Sequence, residues 1–465
     1  MKKRMFPTRM TAVFVMMAAV ITGWAQSSIT FTTNRTLGST LTITIGASGD
    51  VEFDGMSGEF ESQKAVVYTV EKQTITIRGN IESMTCNGCG LTAIDLINAP
   101  ELTTFKCDDN KLNVLDVRAN TKLRTLYCQV NQLEELDVTS LADLRYLACS
   151  QNKLAELKLT NNPELRELYC VDNLLGELKV GHLSKLKKLS CSGNRLTELD
   201  VTANKSLGTL FCANNQLETL DVTQNAFLYQ LAFADNKITS IDLSKNNDME
   251  TLFAQNNPLQ KPLDVSGMKN LEQLYLFNTN SETVNLAENP KLKEFSCSHN
   301  RFRNLDISRN PELKMMWIQD NLMDTAAMRK LVEQLPLCDE TKPATLIMKD
   351  VGVEDQNECR QTDVQKAKEK NWILYEIDGE QITPYDGVVD GIDLTYAQTM
   401  ICRCENGMLT IEYARPKAAF FVYRLNGVMV GKGMTDAEGR AQMAVPMTEK
   451  QRLLVKVEQC GTVKL

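Results

Sequence analysis

A solenoid of stacked short repeats is the fold class this sequence predicts, and three observations predict it. Cys86, Cys107, Cys128, Cys149, Cys170, Cys191 and Cys212 stand 21 residues apart, and Phe233 and Ala254 continue the count. After one extra residue near Pro262, Leu276, Cys297 and Ile318 resume the step. Each step is written in the form L-x-C-x-x-N-x-L-x-x-L-D-V-x-x-N-x-x-L, and an Asn recurs three residues past the cysteine slot, at Asn110, Asn131, Asn152, Asn173, Asn194, Asn215, Asn236, Asn257, Asn300 and Asn321. A fixed period in the twenties with this spelling marks about twelve leucine-rich repeats, none of which closes a core without its neighbours.

The repeat dictates where each letter points. Alternation sends Leu126 and Cys128 inward from a short strand and turns Tyr127 outward, so the strands build a parallel β-sheet on the concave face. The Asn amide satisfies backbone groups left over where the strand ends. Leu133, Leu136, Val138 and Leu144 complete the inward set. Eight of the twelve cysteine slots hold Cys, and the others hold Phe233, Ala254, Leu276 and Ile318, all apolar. The slot therefore asks for a buried hydrophobe, a role a free thiol fills. Adjacent strands hold such thiols about 4.8 Å apart with parallel Cβ vectors, whereas a disulfide needs Cβ atoms about 3.8 Å apart and inclined together. A metal column would not tolerate Phe or Ile.

In chain order, residues 1–25 have the pattern of a secretory signal: Lys2, Lys3 and Arg4, an apolar run from Met10 to Ile21, and Gly23-Trp24-Ala25 as cleavage site. Residues 26–82 alternate with period two in I-T-F-T, L-T-I-T-I, V-V-Y-T-V and T-I-T-I-R, which predicts an N-terminal β cap. Cys86 and Cys89 match C-x-x-C, but Cys86 belongs to the ladder and Cys89 occupies an Asn slot, so neither redox nor zinc chemistry is expected. The repeats fill 83–323. An α/β C-terminal cap follows at 324–378: Asp324 caps a helix over 325–335, Ala344 to Met348 is a strand, Asp363 to Asn371 a second helix and Trp372 to Ile377 a strand. Cys338 and Cys359 lie outside the ladder and, in an exported chain, are expected to pair. Residues 379–391, with Pro384 and several glycines, are expected to be a linker. Residues 392–465 are expected to form a small all-β sandwich, with a hairpin at Asn426-Gly427 and one disulfide among Cys402, Cys404 and Cys460.

Charge and composition narrow the function. The formal charge is −8, and losing Lys2, Lys3, Arg4 and Arg9 with the signal takes it to −12. This balance argues against nucleic acid as a partner, since phosphate binding needs a basic face. Only His182 and His299 serve the whole chain, no carboxylates are paired by motif and no glycine-rich phosphate loop follows a strand, so no enzyme and no cofactor are expected. The candidate site is a stripe of rings just before the cysteine slot. Tyr127, Tyr169, Phe211 and Phe253 follow at steps of 42, with Ala148, Ser190 and Ala232 between; Tyr275 and Trp317 repeat the step beyond the extra residue. Rings about 10 Å apart, twice the strand spacing, present large area at little entropic cost to a ligand. The competing reading is that large and small residues alternate only to tile the sheet. Around the stripe, Asp108, Asp109, Glu167, Asp172, Asp235, Glu294 and Asp320 outnumber Lys106 and Lys188, which favours a partner with basic patches.

Two resemblances follow from these motifs. The 21-residue repeat with its cysteine ladder resembles the internalin J type of leucine-rich repeat, and the joined β segment is similar to BspA-like bacterial surface proteins. The tail V-Y-R-L-N-G-V-M-V-G-K-G-M-T-D-A-E-G-R, with its closing L-V-K-V and T-V-K-L, resembles the C-terminal sorting domain of type IX secretion, although Met447-Thr448-Glu449-Lys450 replaces the usual approach to the last strand. The resemblances imply a monomeric adhesin carried to the outer cell surface or released. Its partner would be a host extracellular or bacterial surface protein, and its tail would be read by outer-membrane secretion machinery. A glycan-binding protein and a structural envelope component are the alternatives.

Overall fold

The structure, a computed structural model, describes residues 27–388, 400–405, 408–412, 414–424, 429–445, 453–457 and 461–464. The expected signal at 1–25, the Asn426-Gly427 turn and Cys460 lie outside the described residues. The chain forms two compact units, Met1–Asn246 and Asn247–Leu465.

The first unit opens with eight strands: β1 (Ser28–Thr33), β2 (Thr40–Ala47), β3 (Glu52–Asp54), β4 (Met56–Ser57), β5 (Ala65–Val70), β6 (Thr74–Arg78), β7 (Ile81–Thr85) and β8 (Leu91–Asp95). Their period-two alternation buries Ile29 and Phe31, Leu41 and Ile43, and Ile75 and Ile77. β1 pairs antiparallel with β6 and β8, β3 with β6, and β2 with β5 and β7. β7 then runs parallel to β9 (Thr104–Lys106), Met84 opposite Phe105. The cap and the first repeat thus share strands on both sides.

Six more three-residue strands follow in parallel register: β10 (Thr125–Tyr127), β11 (Tyr146–Ala148), β12 (Glu167–Tyr169), β13 (Lys188–Ser190), β14 (Thr209–Phe211) and β15 (Gln230–Ala232). The strands are short because the second residue past each cysteine slot is left-handed, with φ near +53° to +55° at Asp109, Val130, Gln151, Asp172, Asn214 and Asp235. The Asn that follows closes the turn. Asn131 Oδ1 accepts from Leu112 N at 3.0 Å, and its Nδ2 donates to Cys107 O at 3.0 Å and Cys128 O at 3.2 Å, so each amide ties its own turn to the one before. The ladder cysteines from Cys86 to Cys212 are free and fully buried, and burial pushes their thiols up, to about 12 at Cys149 and Cys191.

A second Asn column, in the D-V-x-x-N part of the repeat, is also fully buried at Asn120, Asn162, Asn204, Asn225 and Asn246. Asn204 Nδ2 donates to Val180 O and Leu183 O at 2.9 Å each, while its Oδ1 has no partner.

The second unit continues with β16 (Thr251–Phe253), β17 (Gln273–Tyr275), β18 (Glu294–Ser296) and β19 (Met315–Trp317), again parallel. Both Asn columns continue, with Asn300 and Asn321 behind the strands and Asn289 and Asn310 in the second. Helix α1 (Thr325–Gln334) is capped by Asp324, whose Oδ1 accepts from Ala326 N and Ala327 N, and it buries Met328, Leu331 and Val332. Strand β20 (Ala344–Asp350) pairs parallel with β19 and with β21 (Trp372–Asp378). Two residues outside the period finish the ladder. Asn357 donates to Ile318 O and Met348 O and accepts from Met323 N, and Asp355 accepts from the amides of Asp320, Asp350 and Asn357.

Three expectations change here. Helix α2 covers Gln361–Glu369, starting two residues earlier than expected, because Arg360 already holds the extended N-cap geometry. Most of the expected linker is built in: β22 (Gln381–Pro384) pairs antiparallel with β21, Tyr385 is buried and donates from its hydroxyl to Cys359 O, and Val388 N bonds the same carbonyl. Only 389–391 lie outside the described residues. Cys338 and Cys359 do not pair; Cys338 is half-buried with its thiol on Leu313 O, and Cys359 is buried where burial pushes its thiol up to about 12.

The remaining strands are β23 (Ile401–Glu405), β24 (Met408–Glu412), β25 (Ala419–Arg424), β26 (Met429–Met434), β27 (Ala441–Ala444), β28 (Leu453–Val457) and β29 (Gly461–Lys464). They make two antiparallel sheets, β23-β24-β27 and β26-β25-β28-β29. Leu409 and Ile411 of the first meet Phe420, Val422, Val455 and Val457 of the second in one core, and Cys402 is buried there beside half-buried Cys404.

Candidate binding surface

The face of the three-residue strands is built from the first and third residue of each, since the middle residue and the slot behind it fill the core. Tyr127, Tyr169 and Phe211 all hold the third position in the first unit, and each is half-buried. Between them Ala148 and Ser190 are covered, at 2% and 8% exposure. The rings therefore shield their small neighbours while keeping one side toward solvent. Neighbouring charges fix two of them. Lys106 Nζ stands 4.8 Å from the centre of the Tyr127 ring. The Tyr169 hydroxyl donates to Glu167 Oε2 at 2.8 Å, and burial together with this bond raises its pKa.

In the second unit the expected ring spacing of about 10 Å does not hold. Phe253 and Tyr275 face each other on adjacent strands, where two large residues follow one another instead of a large and a small one, and their centroids are 4.8 Å apart. Trp317 leans across Ser296 to within 5.9 Å of Tyr275. Ser296 is left 3% exposed. The three rings form one cluster, braced by the Tyr275 hydroxyl, which donates to Glu294 Oε2 at 2.7 Å. Aromatic contact gains more than separate exposure, which the count of residues alone does not register.

The acidic residues divide by position. Asp109, Asp172 and Asp235 are the exposed left-handed residues at strand ends, and Asp108 is half-buried with its pKa raised by burial, accepting from Gln129 N at 2.9 Å. In the second unit His299 Nδ1 meets Asp320 Oδ2 at 2.9 Å, both in the same turn position. No group of His, Cys, Asp and Glu among the described residues is arranged to hold a metal ion. No helix of the described residues is long and apolar enough to cross a membrane.

Parallel strands at a 21-residue step, eleven of them three residues long from β9 to β19, define a leucine-rich-repeat solenoid. No protein-family model matches the chain, and no curated protein sequence does. Among solved structures, the internalin inlF of Listeria monocytogenes is similar at 16% identity, covering 64% of this chain and 87% of that one with a TM-score of 0.55, and it carries the likeness to an internalin-like fold. The functional domain of InlJ from the same organism, which includes a cysteine ladder, is 23% identical over 85% of this chain and 92% of that one, with a TM-score of 0.49. The leucine-rich-repeat protein LIC12759 of Leptospira interrogans is 20% identical over 55% and 82%, with a TM-score of 0.43.

Proposed function

We propose that this protein is a non-enzymatic adhesin, exported to the outer cell surface or released, that grips a partner protein with the face of its repeat strands. The observation that carries the reading is that Tyr127, Tyr169, Phe211, Phe253, Tyr275 and Trp317 hold one strand position, all half-exposed, while the core is filled by the leucine and cysteine columns behind them. Large rings held on strands are suited to be the anchors of a protein interface. The closed ring cluster of the second unit, with faces turned on one another, supports a protein partner over sugars stacked one per ring. The export reading rests on residues 1–25 and on the tail motif of Val422 to Arg440.

The test is attachment of producing cells to immobilised host matrix proteins, with Tyr169, Phe211 and Phe253 replaced together by Ala. Attachment should fall at least tenfold while circular dichroism and protease accessibility at the cell surface stay as in the parent. A folded, surface-accessible variant that attaches as well as the parent removes the ring site, and a parent that added protease cannot reach removes the surface reading.

A further inference from the structure

The first unit carries a charged feature that neither the rings nor the acidic turn residues use. Arg124, Arg145, Arg166 and Lys187 each stand one residue before a face strand, on four consecutive repeats. Backbone hydrogen bonds connect them one to the next: Arg145 N donates to Arg124 O at 2.9 Å, Arg166 N to Arg145 O at 2.8 Å and Lys187 N to Arg166 O at 2.8 Å. They therefore form a straight column at the spacing of single strands, about 4.8 Å. Gly208 takes the same place on the next repeat and ends it. In a chain of formal charge −8 this is a local reversal of sign.

The carboxylates flanking the column are engaged elsewhere. Glu101 pairs with Lys122, Glu164 with Lys185 while also feeling the charges of Arg145 and Arg166, and Glu167 faces Lys188 at 3.6 Å. Asp143, which holds the place of Glu164 one repeat earlier, has no ion pair among the described residues, and none of the four column cations has one, so the column keeps a surplus of positive charge. Arg145 adds a second observation. Its Nε is buried without a hydrogen-bond partner, a costly state for a charged donor. Turning the guanidinium onto an incoming anion would relieve it.

We propose that this column binds a linear anionic polysaccharide, with one sulfate or uronate group per strand. Successive sugars of a 1,4-linked chain alternate faces, but a heparin-like chain carries more than one anionic group per sugar, each sugar being about as long as one strand spacing, so every cation of the column can meet an anionic group. An extended acidic peptide presents same-side carboxylates about 6.7 Å apart and falls out of step within the four strands. Guanidinium forks match the paired oxygens of sulfate and carboxylate. Tyr146, half-exposed and next in sequence to Arg145, offers a ring on which a sugar can stack. The inference does not depend on the adhesin reading, since it uses none of the six rings.

The test is calorimetric titration of the full chain with a heparin decasaccharide, comparing the parent with a variant carrying R124Q, R145Q, R166Q and K187Q. The control carries K153Q, K205Q, K237Q and K245Q, which removes four exposed lysines elsewhere on the same unit. The column variant should bind at least tenfold more weakly, the control should match the parent within twofold, and the parent's affinity should fall as salt rises. The variant lacking the rings of Tyr169, Phe211 and Phe253 should bind heparin as the parent does, which keeps this outcome separate from the attachment test. A parent that ignores heparin, a control that loses as much as the column variant, or a poly-glutamate peptide that competes at equal concentration would each overturn the assignment.

Discussion

Replacing Asn173 by Ala probes the bond that makes one repeat hold the next. Asn173 Oδ1 accepts from Leu154 N at 3.0 Å, and its Nδ2 donates to Cys149 O at 3.0 Å, with longer bonds of 3.3 Å to Cys170 O and Val171 O. Removing the amide leaves the buried Leu154 N–H without an acceptor, which costs about 1–3 kcal/mol. The Cys149 and Cys170 carbonyls lose less, because Asn152 and Asn194 still donate to them. Each lost bond there is worth about 0.5–1 kcal/mol, for a total near 3 kcal/mol. Asn204 provides the internal standard. Its Oδ1 serves no donor, and Leu183 O and Val180 O keep backbone partners, so Asn204→Ala orphans no amide and should cost at least 1 kcal/mol less. Urea unfolding followed by native-state hydrogen exchange measures both quantities, and exchange at the Leu154 amide localises the loss. The reasoning is refuted if Asn173→Ala costs no more than Asn204→Ala, or if the Leu154 amide stays protected.

Two further outcomes follow from the same turns. Val130 is β-branched, 43% exposed and held at φ +53°, a conformation Asn214 occupies in the same turn position four strands on. Val130→Asn should therefore stabilise the protein by about 1 kcal/mol, read as a small rise in thermal midpoint; a lower midpoint would count against left-handed strain at that residue. The thiols of Cys149 and Cys191, pushed up to about 12 by burial, should stay unreactive toward a thiol reagent at pH 8 until denaturant is added. Labelling of either thiol in native protein would show that the ladder opens.

Periodicity made most of this fold legible. An error in one repeat is corrected by its neighbours, so the inward direction of Cys128 and the role of Asn131 could be read from spelling. The second Asn column was in the repeat formula too, but its partners are carbonyls of the same turn one repeat earlier, such as Val180 O and Leu183 O for Asn204, and a spelling that looks like a surface turn does not announce them. Asp355 and Asn357 were illegible because they close the ladder from outside its period. Strands β23 and β29 went unseen: Ile401-Cys402-Arg403-Cys404-Glu405 draws attention to its thiols rather than its alternation, and Gly461–Lys464 is only four residues long. At the candidate surface the six ring positions were legible, but their contact in the second unit depends on how far Tyr275 tilts toward Phe253 and Trp317 leans over Ser296, which spacing does not encode. The basic column escaped because charge was counted around strand ends, whereas Arg124, Arg145, Arg166 and Lys187 lie at strand starts.

The extra residue near Pro262 leaves the strand register intact. Thr251 still faces Gln273 and Phe253 still faces Tyr275, although these pairs are 22 residues apart, while the following pair, Gln273 and Glu294, returns to 21. The surplus is lodged on the far side of the coil, around the exposed Lys261 and Pro262. Type set along a ruled line behaves the same way, with slack taken up in the margin while the letters keep their columns. An engineer could thus graft foreign sequence at this bend without disturbing what the strands display.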